Sequence, residues 1–301
     1  MKNRKAYVIT GPTSGIGYAT ALELARHDTV ILVGRNREKL NQLQKAIKDM
    51  GQNAVPVVCD ISDMKSVKSA AKQIIALQLP IAGLLNNAGI MPAKASKSAQ
   101  GWDMTFATNH LGAFALTEAL APHLPDGANV VFIASAIEDP ERKPAKIMGM
   151  KGGRYLTAEA SARGEWKAGG AKMSGIDAYA TSKQCILAAA MAFARENPRL
   201  RFNAVEPGIT RGTSLGGEST NAFIRFLFGY MMAIIPPFSA FSSTPEKSAR
   251  VITKILTDES GKTGVYFDEK GRPMLGSIQV RDQEFQDRVV TETRALLSTV
   301  K

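Results

Sequence analysis

A single-domain α/β fold, built on a doubly wound parallel sheet of about seven strands with helices on both faces, is predicted by three observations. Short apolar runs alternate with helix-length patterns along most of the chain. The runs are rich in Val, Ile and Leu at successive positions, as strands buried on both faces require. A glycine-rich turn, Gly11-Pro12-Thr13-Ser14-Gly15-Ile16-Gly17, joins the first run to the first helix.

The strand-like runs are residues 6–10, 29–34, 54–59, 82–86, 128–134 and 200–205, with 264–268 as a seventh. Helical patterns fall between them at about 16–26, 37–50, 64–77, 102–124 and 177–196. Residues 245–256 and 283–297 read as two more helices. Strands joined in this way form right-handed crossovers in one sheet. No repeat or linker interrupts the pattern, so one domain spans residues 1–301. Two segments break the rhythm. Residues 136–176 form a long insertion, rich in Gly, Lys and Arg, between the fifth strand and the next helix. Residues 210–243 begin Gly-rich and turn strongly apolar. Long segments at the C-terminal ends of strands lie where open α/β sheets bind ligands.

Composition narrows the classes. With 45% apolar and 22% charged residues the 301-residue chain can bury a sizeable core, which excludes disorder as its main state. Two cysteines, Cys59 and Cys185, exclude a disulfide scaffold and suit a reducing compartment. Three unclustered histidines, His27, His110 and His123, give no metal site. The net charge of +11 points to an anionic partner: a phosphorylated cofactor, a membrane surface or nucleic acid. The basic residues are scattered without interleaved aromatics, so nucleic acid is not expected. Residues 1–5 lead straight into the first strand, so no signal peptide is expected and the location reads as cytoplasmic. The apolar stretch 222–241 contains Arg225 and Pro236-Pro237 and falls short of a membrane span. It reads as a core helix, a substrate lid or a membrane-touching hairpin, with the lid favoured and peripheral membrane contact the less favoured reading.

The motifs carry the chemistry. Glycines between a strand and a helix let the backbone approach a pyrophosphate at the helix N-terminus. A plain turn with a helix cap is the bland alternative, but the strand–loop–helix context favours a dinucleotide. The second strand ends in Gly34-Arg35-Asn36-Arg37. An acidic residue here would hold a ribose 2′-hydroxyl, whereas Arg35 accommodates a 2′-phosphate, so NADP(H) is favoured over NAD(H). Tyr179 and Lys183 stand four apart on one face of a helix. A nearby ammonium favours the phenolate, which makes the Tyr179 hydroxyl a usable proton donor or acceptor near neutrality. Alone, a Tyr-x-x-x-Lys pair is common.

In company it is specific. Thr10–Gly17, Asp60-Ile61-Ser62-Asp63, Asn86-Asn87-Ala88-Gly89, Asn109, Ser135, Tyr179 with Lys183, and Pro207-Gly208 follow one another in the order found in the short-chain dehydrogenases/reductases, and the chain resembles that family over about two-thirds of its length. The resemblance implies a Rossmann-type fold and assigns roles. Tyr179 would be the catalytic acid/base, with Lys183 tuning it and binding the nicotinamide ribose. Ser135 would hydrogen-bond the substrate oxygen, and Asn109 would support a water-linked proton path to Lys183. Gly11, Thr13, Ser14, Gly15, Ile16 and Gly17 would bind the cofactor's pyrophosphate side, Arg35 and Asn36 its 2′-phosphate. Asp60 and Ile61 would meet the adenine end. Asn87, Ala88 and Gly89 would line the cofactor, and Pro207, Gly208 and Ile209 would lie against the nicotinamide.

Bland readings stand beside these. Asp60 and Asp63 also suit a helix cap, and Asn86–Gly89 a strand-ending turn. His110, Cys185 and Cys59 read as packing residues. Ser135 and Tyr179 are further apart in sequence than is usual in the family, so the insertion must loop out for them to meet. Thr213 or Thr210 would contact the carboxamide. The layout resembles the retinol-dehydrogenase-like and protochlorophyllide-reductase-like members. The expected function is NADP(H)-dependent interconversion of a carbonyl and an alcohol on an apolar small molecule. The alternatives are reduction of an activated C=C bond and a non-catalytic NADP-binding sensor. A homo-oligomer, dimer or tetramer, is expected, with a monomer as the alternative.

Overall fold

The computed structural model describes residues 5–92, 94–165, 175–210 and 238–300. Its centre is an eight-stranded sheet. The strands in chain order are β1 Ala6–Thr10, β2 Thr29–Gly34, β3 Ala54–Val58, β4 Ile81–Asn86, β5 Asn129–Ile133, β6 Arg201–Val205, β9 Val265–Phe267 and β10 Pro273–Met274. They lie side by side in the order β10-β9-β6-β5-β4-β1-β2-β3. Seven are parallel, as the sequence predicts; β10 adds an antiparallel edge too short to show a pattern of its own. The strands β7 Ile209–Thr210 and β8 Ser242–Ser243 pair separately, bringing together the two ends of the apolar segment.

Side chains alternate across a strand, so each central strand feeds two cores. Val8, Ile31, Leu84 and Val130 point to one face and Ile9, Leu32, Leu85 and Val131 to the other, all of them buried. The helices α1 Gly15–Ala25, α2 Arg37–Asp49 and α9 Pro245–Leu256 cover the second face. In α2 the buried residues are Leu40, Leu43 and Ile47, one stripe of an otherwise charged helix. The first face carries α3 Met64–Ala76, the segment around Asn109, α8 Ile176–Glu196 and the C-terminal helix α11 Gln283–Ser298. Helix α8 is buried nearly all round because it is sandwiched between the sheet and α11. Side-chain caps at Asn36, Asp63, Thr244 and Asp282 start α2, α3, α9 and α11.

The helix expected over 102–124 runs without a gap from Met104 to His123, but its winding changes along the way: α4 Met104–Phe106, a π-helical turn over Ala107–Gly112, α5 Ala113–Leu120 and a 3-10 turn over Ala121–His123. Residue identity at one position fits the wide turn to its surroundings. A Cβ on Gly112 would sit 1.8 Å from the Ile61 carbonyl oxygen, so only a glycine lets this turn lie against the loop after β3. The wide turn is wedged by rings. His110 packs between Phe106 and Phe114, with centroids 5.0 and 5.8 Å away, and its Nε2 meets the Thr293 hydroxyl at 2.8 Å. Burial holds the imidazole down at about 3, so it is neutral and structural.

The insertion over 136–176 also differs from its sequence reading as a weakly periodic loop. Its described part folds into a 3-10 turn at Ala136–Glu138, α6 Lys143–Ile147 and α7 Ala158–Arg163. It is tied to distant residues: Tyr155 Oη donates to Glu292 at 2.6 Å, and the Ala158 amide donates to the same carboxylate at 3.0 Å. Such anchors have no local signature. The four-residue helix α10 Ile278–Arg281 is likewise too short to leave a periodic pattern. Among the described residues no helix is long and apolar enough to cross a membrane. Most of 210–243, with the apolar stretch read as a lid, lies outside the described residues.

Gly112→Ala is expected to force the π-helical turn off the Ile61 carbonyl. Overpacking of this kind costs about 1–3 kcal/mol, which thermal unfolding reads as a drop of several degrees. An unchanged melting temperature would contradict the close approach.

Candidate active site

The C-terminal ends of the parallel strands form one edge, and the motifs at Gly11, Arg35, Asp60, Asn87, Ser135 and Pro207 each follow one of them. Register makes this so. Thr10 lies beside Val33, Asn86 beside Phe132 and Ile133 beside Val205. Gly11, Arg35, Asn87, Ser135 and Pro207 therefore leave the sheet at similar heights.

The glycine loop is fastened from beneath. Thr10 Oγ1 accepts from the amides of Asn87 and Ala88, both at 2.9 Å. The Asn87 side chain donates to the carbonyls of Thr10 at 2.8 Å and Gly11 at 3.1 Å. A Cβ on Gly17 would fall 2.3 Å from the Gly11 carbonyl and 2.5 Å from the Asn87 amide nitrogen, so the loop closes this tightly only with glycine there. Ser14 is extended, and its side chain caps none of the first amides of α1. Bare backbone at Gly11 and Gly89 with an uncapped helix start makes a cradle that fits a dinucleotide's pyrophosphate.

Beyond β2, Arg35 is exposed and makes no ion pair among the described residues, so its guanidinium is available to an anion. Asn36 serves the backbone instead, its side chain accepting from the Lys39 amide at 2.9 Å and capping α2. Asp60 closes a turn by accepting from the amide and hydroxyl of Ser62, at 2.9 and 2.7 Å, while Asp63 caps α3. Ile61 is buried, its carbonyl facing Gly112.

Ser135, Asn109, Tyr179 and Lys183 meet at the centre of the edge. Tyr179 and Ser135 share a side-chain hydrogen bond across the long insertion. The Lys183 ammonium is 5.6 Å from the centre of the Tyr179 ring and donates to the Ile133 carbonyl at 2.7 Å. Asn109 sits in the π-helical turn. Its Oδ1 accepts from the Ile90 amide at 2.8 Å, and its Nδ2 donates to the Ile90 carbonyl at 2.9 Å and to Ser182 Oγ at 3.0 Å. Ser182 in turn donates to the Tyr179 carbonyl at 2.7 Å. A Cβ on Gly89 would touch both Asn109 Oδ1 and Lys183 Nζ, at 3.4 and 3.6 Å.

Burial sets the direction of the shift at both groups. Burial pushes the phenol up to about 12, against the Ser135 hydrogen bond, and Glu206 pushes the same way. Burial also lowers Lys183 to about 8. Desolvation is the leading cause at each, because a buried phenolate or ammonium loses its water.

On the far side of β6, Pro207, Gly208 and Ile209 form a turn whose Pro207 carbonyl accepts from Ser248 Oγ at 3.0 Å and Thr210 Oγ1 at 3.2 Å. Thr210 is thereby turned onto its own backbone, and Thr213 lies outside the described residues. Cys59 and Cys185 are buried free thiols. Sequence reasoning passes over Ser182, the Ile133 carbonyl and Glu206. Backbone acceptors carry no residue signal, and Ser182 and Glu206 gain meaning only from neighbours distant in sequence.

Residues 5–143 match the family model described as short chain dehydrogenase. The chain is 29% identical to retinol dehydrogenase 13 of Mus musculus, over 97% of this chain and 84% of that one. It is 30% identical to the chloroplastic short-chain dehydrogenase TIC 32 B of Brassica napus, over 87% and 79%. Among solved structures, a short chain dehydrogenase from Burkholderia cenocepacia J2315 in complex with NADP superposes with a TM-score of 0.65 at 21% identity, covering 89% of this chain and 96% of that one. The strand order, the motif-bearing sheet edge and these relatives agree: the chain belongs to the short-chain dehydrogenase/reductase family.

Proposed function

We propose that the protein is an NADP(H)-dependent oxidoreductase that interconverts a carbonyl and an alcohol on an apolar small molecule. The observation that carries this reading is the meeting of Ser135, Tyr179, Lys183 and Asn109 at one strand edge beside the glycine cradle. When bound, the nicotinamide cofactor supplies or accepts the hydride.

The chain's own residues do the rest. Gly11, Thr13, Ser14, Gly15, Ile16 and Gly17 would hold the pyrophosphate with backbone amides, and Arg35 would receive the 2′-phosphate, with Asn36 beside it capping α2. Asp60 and Ile61 would border the adenine end, while Asn87, Ala88 and Gly89 would form the floor. Lys183 and Tyr179 would meet the nicotinamide ribose, and Pro207, Gly208 and Ile209 would border the ring. Ser135 donates to the substrate oxygen and orients it toward Tyr179. The Tyr179 hydroxyl is held protonated at neutral pH, which suits it to give its proton to an oxygen gaining charge. Lys183 refills that proton demand from the Asn109 side. The segment 210–243 would supply the apolar wall and 136–176 the opposite one. A homo-oligomer and a cytoplasmic location complete the proposal, the latter supported by the two free cysteines.

The test is NADPH consumption over a panel of carbonyl compounds and enones, with products identified. Carbonyl reduction is expected, and saturation of the C=C bond alone would replace this reading with the alternative. Tyr179→Phe should keep cofactor affinity and lose ~10²–10⁴-fold in turnover, the usual worth of a general acid. Near wild-type turnover would remove Tyr179 from the chemistry. Arg35→Ala should weaken NADPH ten- to a hundred-fold, about 1.5–3 kcal/mol for a charge-assisted contact, and leave NADH nearly unchanged. Equal weakening of both, measured by titration, would show that Arg35 does not read the 2′-phosphate.

A further inference from the structure

The insertion and the apolar segment, proposed above as the two walls of the substrate pocket, meet at the Arg142 side chain. Arg142 opens α6, where its carbonyl accepts from the Lys146 amide at 2.8 Å. From the insertion its guanidinium reaches the end of β6, and Nη2 donates to Glu206 Oε2 at 3.2 Å. Little of either side chain meets water, 23% of Arg142 and 10% of Glu206. The guanidinium also lies 5.7 Å from the centre of the ring of Phe241, the last residue of the apolar stretch 222–241. Each side of this contact is tied to itself. In the insertion, the Met150 amide donates to the Ala145 carbonyl at 2.9 Å and the Gly153 amide to the Glu138 carbonyl at 2.8 Å. Across from it, the Glu206 amide donates to the Phe267 carbonyl at 2.8 Å. A Cβ on Gly208 would fall 2.6 Å from the Phe241 carbonyl oxygen, so Phe241 lies directly on the turn after β6, and β7 pairs with β8 beside it.

We propose that Arg142 is a positioning residue that sets substrate choice: bonded to Glu206 and laid against Phe241, it fixes the spacing of the two pocket walls and so the length of the apolar carbonyl compound held between them. The proposal rests on the function proposed above and deepens it to the substrate. Stability alone gives no reason for charges here. Replacing a buried ion pair by apolar side chains of similar volume is often neutral, because desolvation offsets the attraction. What the pair adds is direction. A charge-assisted hydrogen bond from a planar guanidinium fixes distance and bearing, whereas apolar contacts slide. Its place along the chain gives that direction a use. Arg142 stands seven residues after Ser135, and Glu206 directly precedes Pro207, Gly208 and Ile209. The pair therefore spans the strand edge from the side of the substrate oxygen to the side proposed for the nicotinamide. The other anchor of the insertion, Tyr155 on Glu292, fastens it to the C-terminal helix and touches neither Glu206 nor Phe241 by hydrogen bond. A short carbonyl compound would engage Ser135 and Tyr179 without filling the space between the walls. A long one would need their spacing.

The experiment compares the full chain as wild type, Arg142→Met, Arg142→Lys, and the double variant Arg142→Met with Glu206→Gln. The double variant leaves no unpaired buried ion, so it guards against misfolding of the single one. Amide hydrogen exchange, which needs no turnover, is followed in peptides covering residues 139–156 and 238–248. Loss of the pair is expected to speed exchange about tenfold or more in both peptides, with Arg142→Lys close to wild type. Faster exchange confined to 139–156, or no change in the double variant, would overturn the proposal. NADPH-dependent reduction of butanal and decanal then reads the substrate. Arg142→Met and the double variant should raise KM for decanal about tenfold. The kcat for both aldehydes and KM for butanal should stay within about twofold of wild type, and Arg142→Lys should restore most of the decanal KM. An equal rise in both KM values, or a fall in kcat alone, would overturn the role in substrate choice. Absence of NADPH turnover in the wild type would count against the proposed function, and the exchange comparison would still decide whether Arg142 holds the two walls together.

Discussion

A buried ammonium is the constraint on which the rest of the site depends. Lys183 is 3% exposed, and no carboxylate pairs with it among the described residues. Its charge is met by the Ile133 carbonyl at the end of β5, two residues before Ser135. An unmet buried charge would cost several kcal/mol, roughly, so this contact fixes where α8 lies along the sheet. Tyr179, one turn earlier on α8, is thereby brought to Ser135 although the insertion separates them in sequence. The same burial that makes the contact obligatory lowers the lysine and raises the tyrosine. Geometry and protonation thus follow from one cause.

The support beneath is built to match. The π-helical turn displaces Asn109 from ordinary helical register, and its amide spans Ile90 on one side and Ser182 on the other. That turn depends on Gly112 against the Ile61 carbonyl and on the rings of Phe106, His110 and Phe114. Phe114 continues the contact to Phe193 of α8, with centroids 4.9 Å apart, so the Asn109 segment and the Lys183 helix share one packed face. From the C-terminal helix, Glu292 holds the insertion at Tyr155 and Thr293 meets His110. The last helix therefore braces both the insertion and the π-helical turn.

Much of this is legible in the sequence because it is local or periodic. Strands β1 and β2 and helix α9 begin and end where the apolar patterns do, and α2, α8 and α11 differ by a residue or so. His110 and the two cysteines read correctly as packing residues, since their places in apolar runs decide their fate. Non-local effects are not legible. The π-helical turn depends on a carbonyl some fifty positions away, and the insertion's helices are held by Glu292 and by the Ala162 carbonyl, which accepts from the Asp103 amide at 2.6 Å. The burial of Tyr179 is not legible either: a Lys four residues away is visible in sequence, whereas depth of burial is a property of the folded edge.

The central claim is that burial around the Ile133 carbonyl governs Lys183, and the ammonium's own titration tests it most directly. Burial disfavours the charged form, so the folded chain releases this proton earlier than the unfolded one. Between about 8 and the ordinary 10.5 the unfolded state binds more protons, and this group's contribution to stability rises with pH across that window. In the side-chain amine signals of isotope-labelled protein without cofactor, one lysine should titrate near about 8, and that signal should be missing from Lys183→Met. A Lys183 signal titrating at the ordinary lysine value would contradict the account.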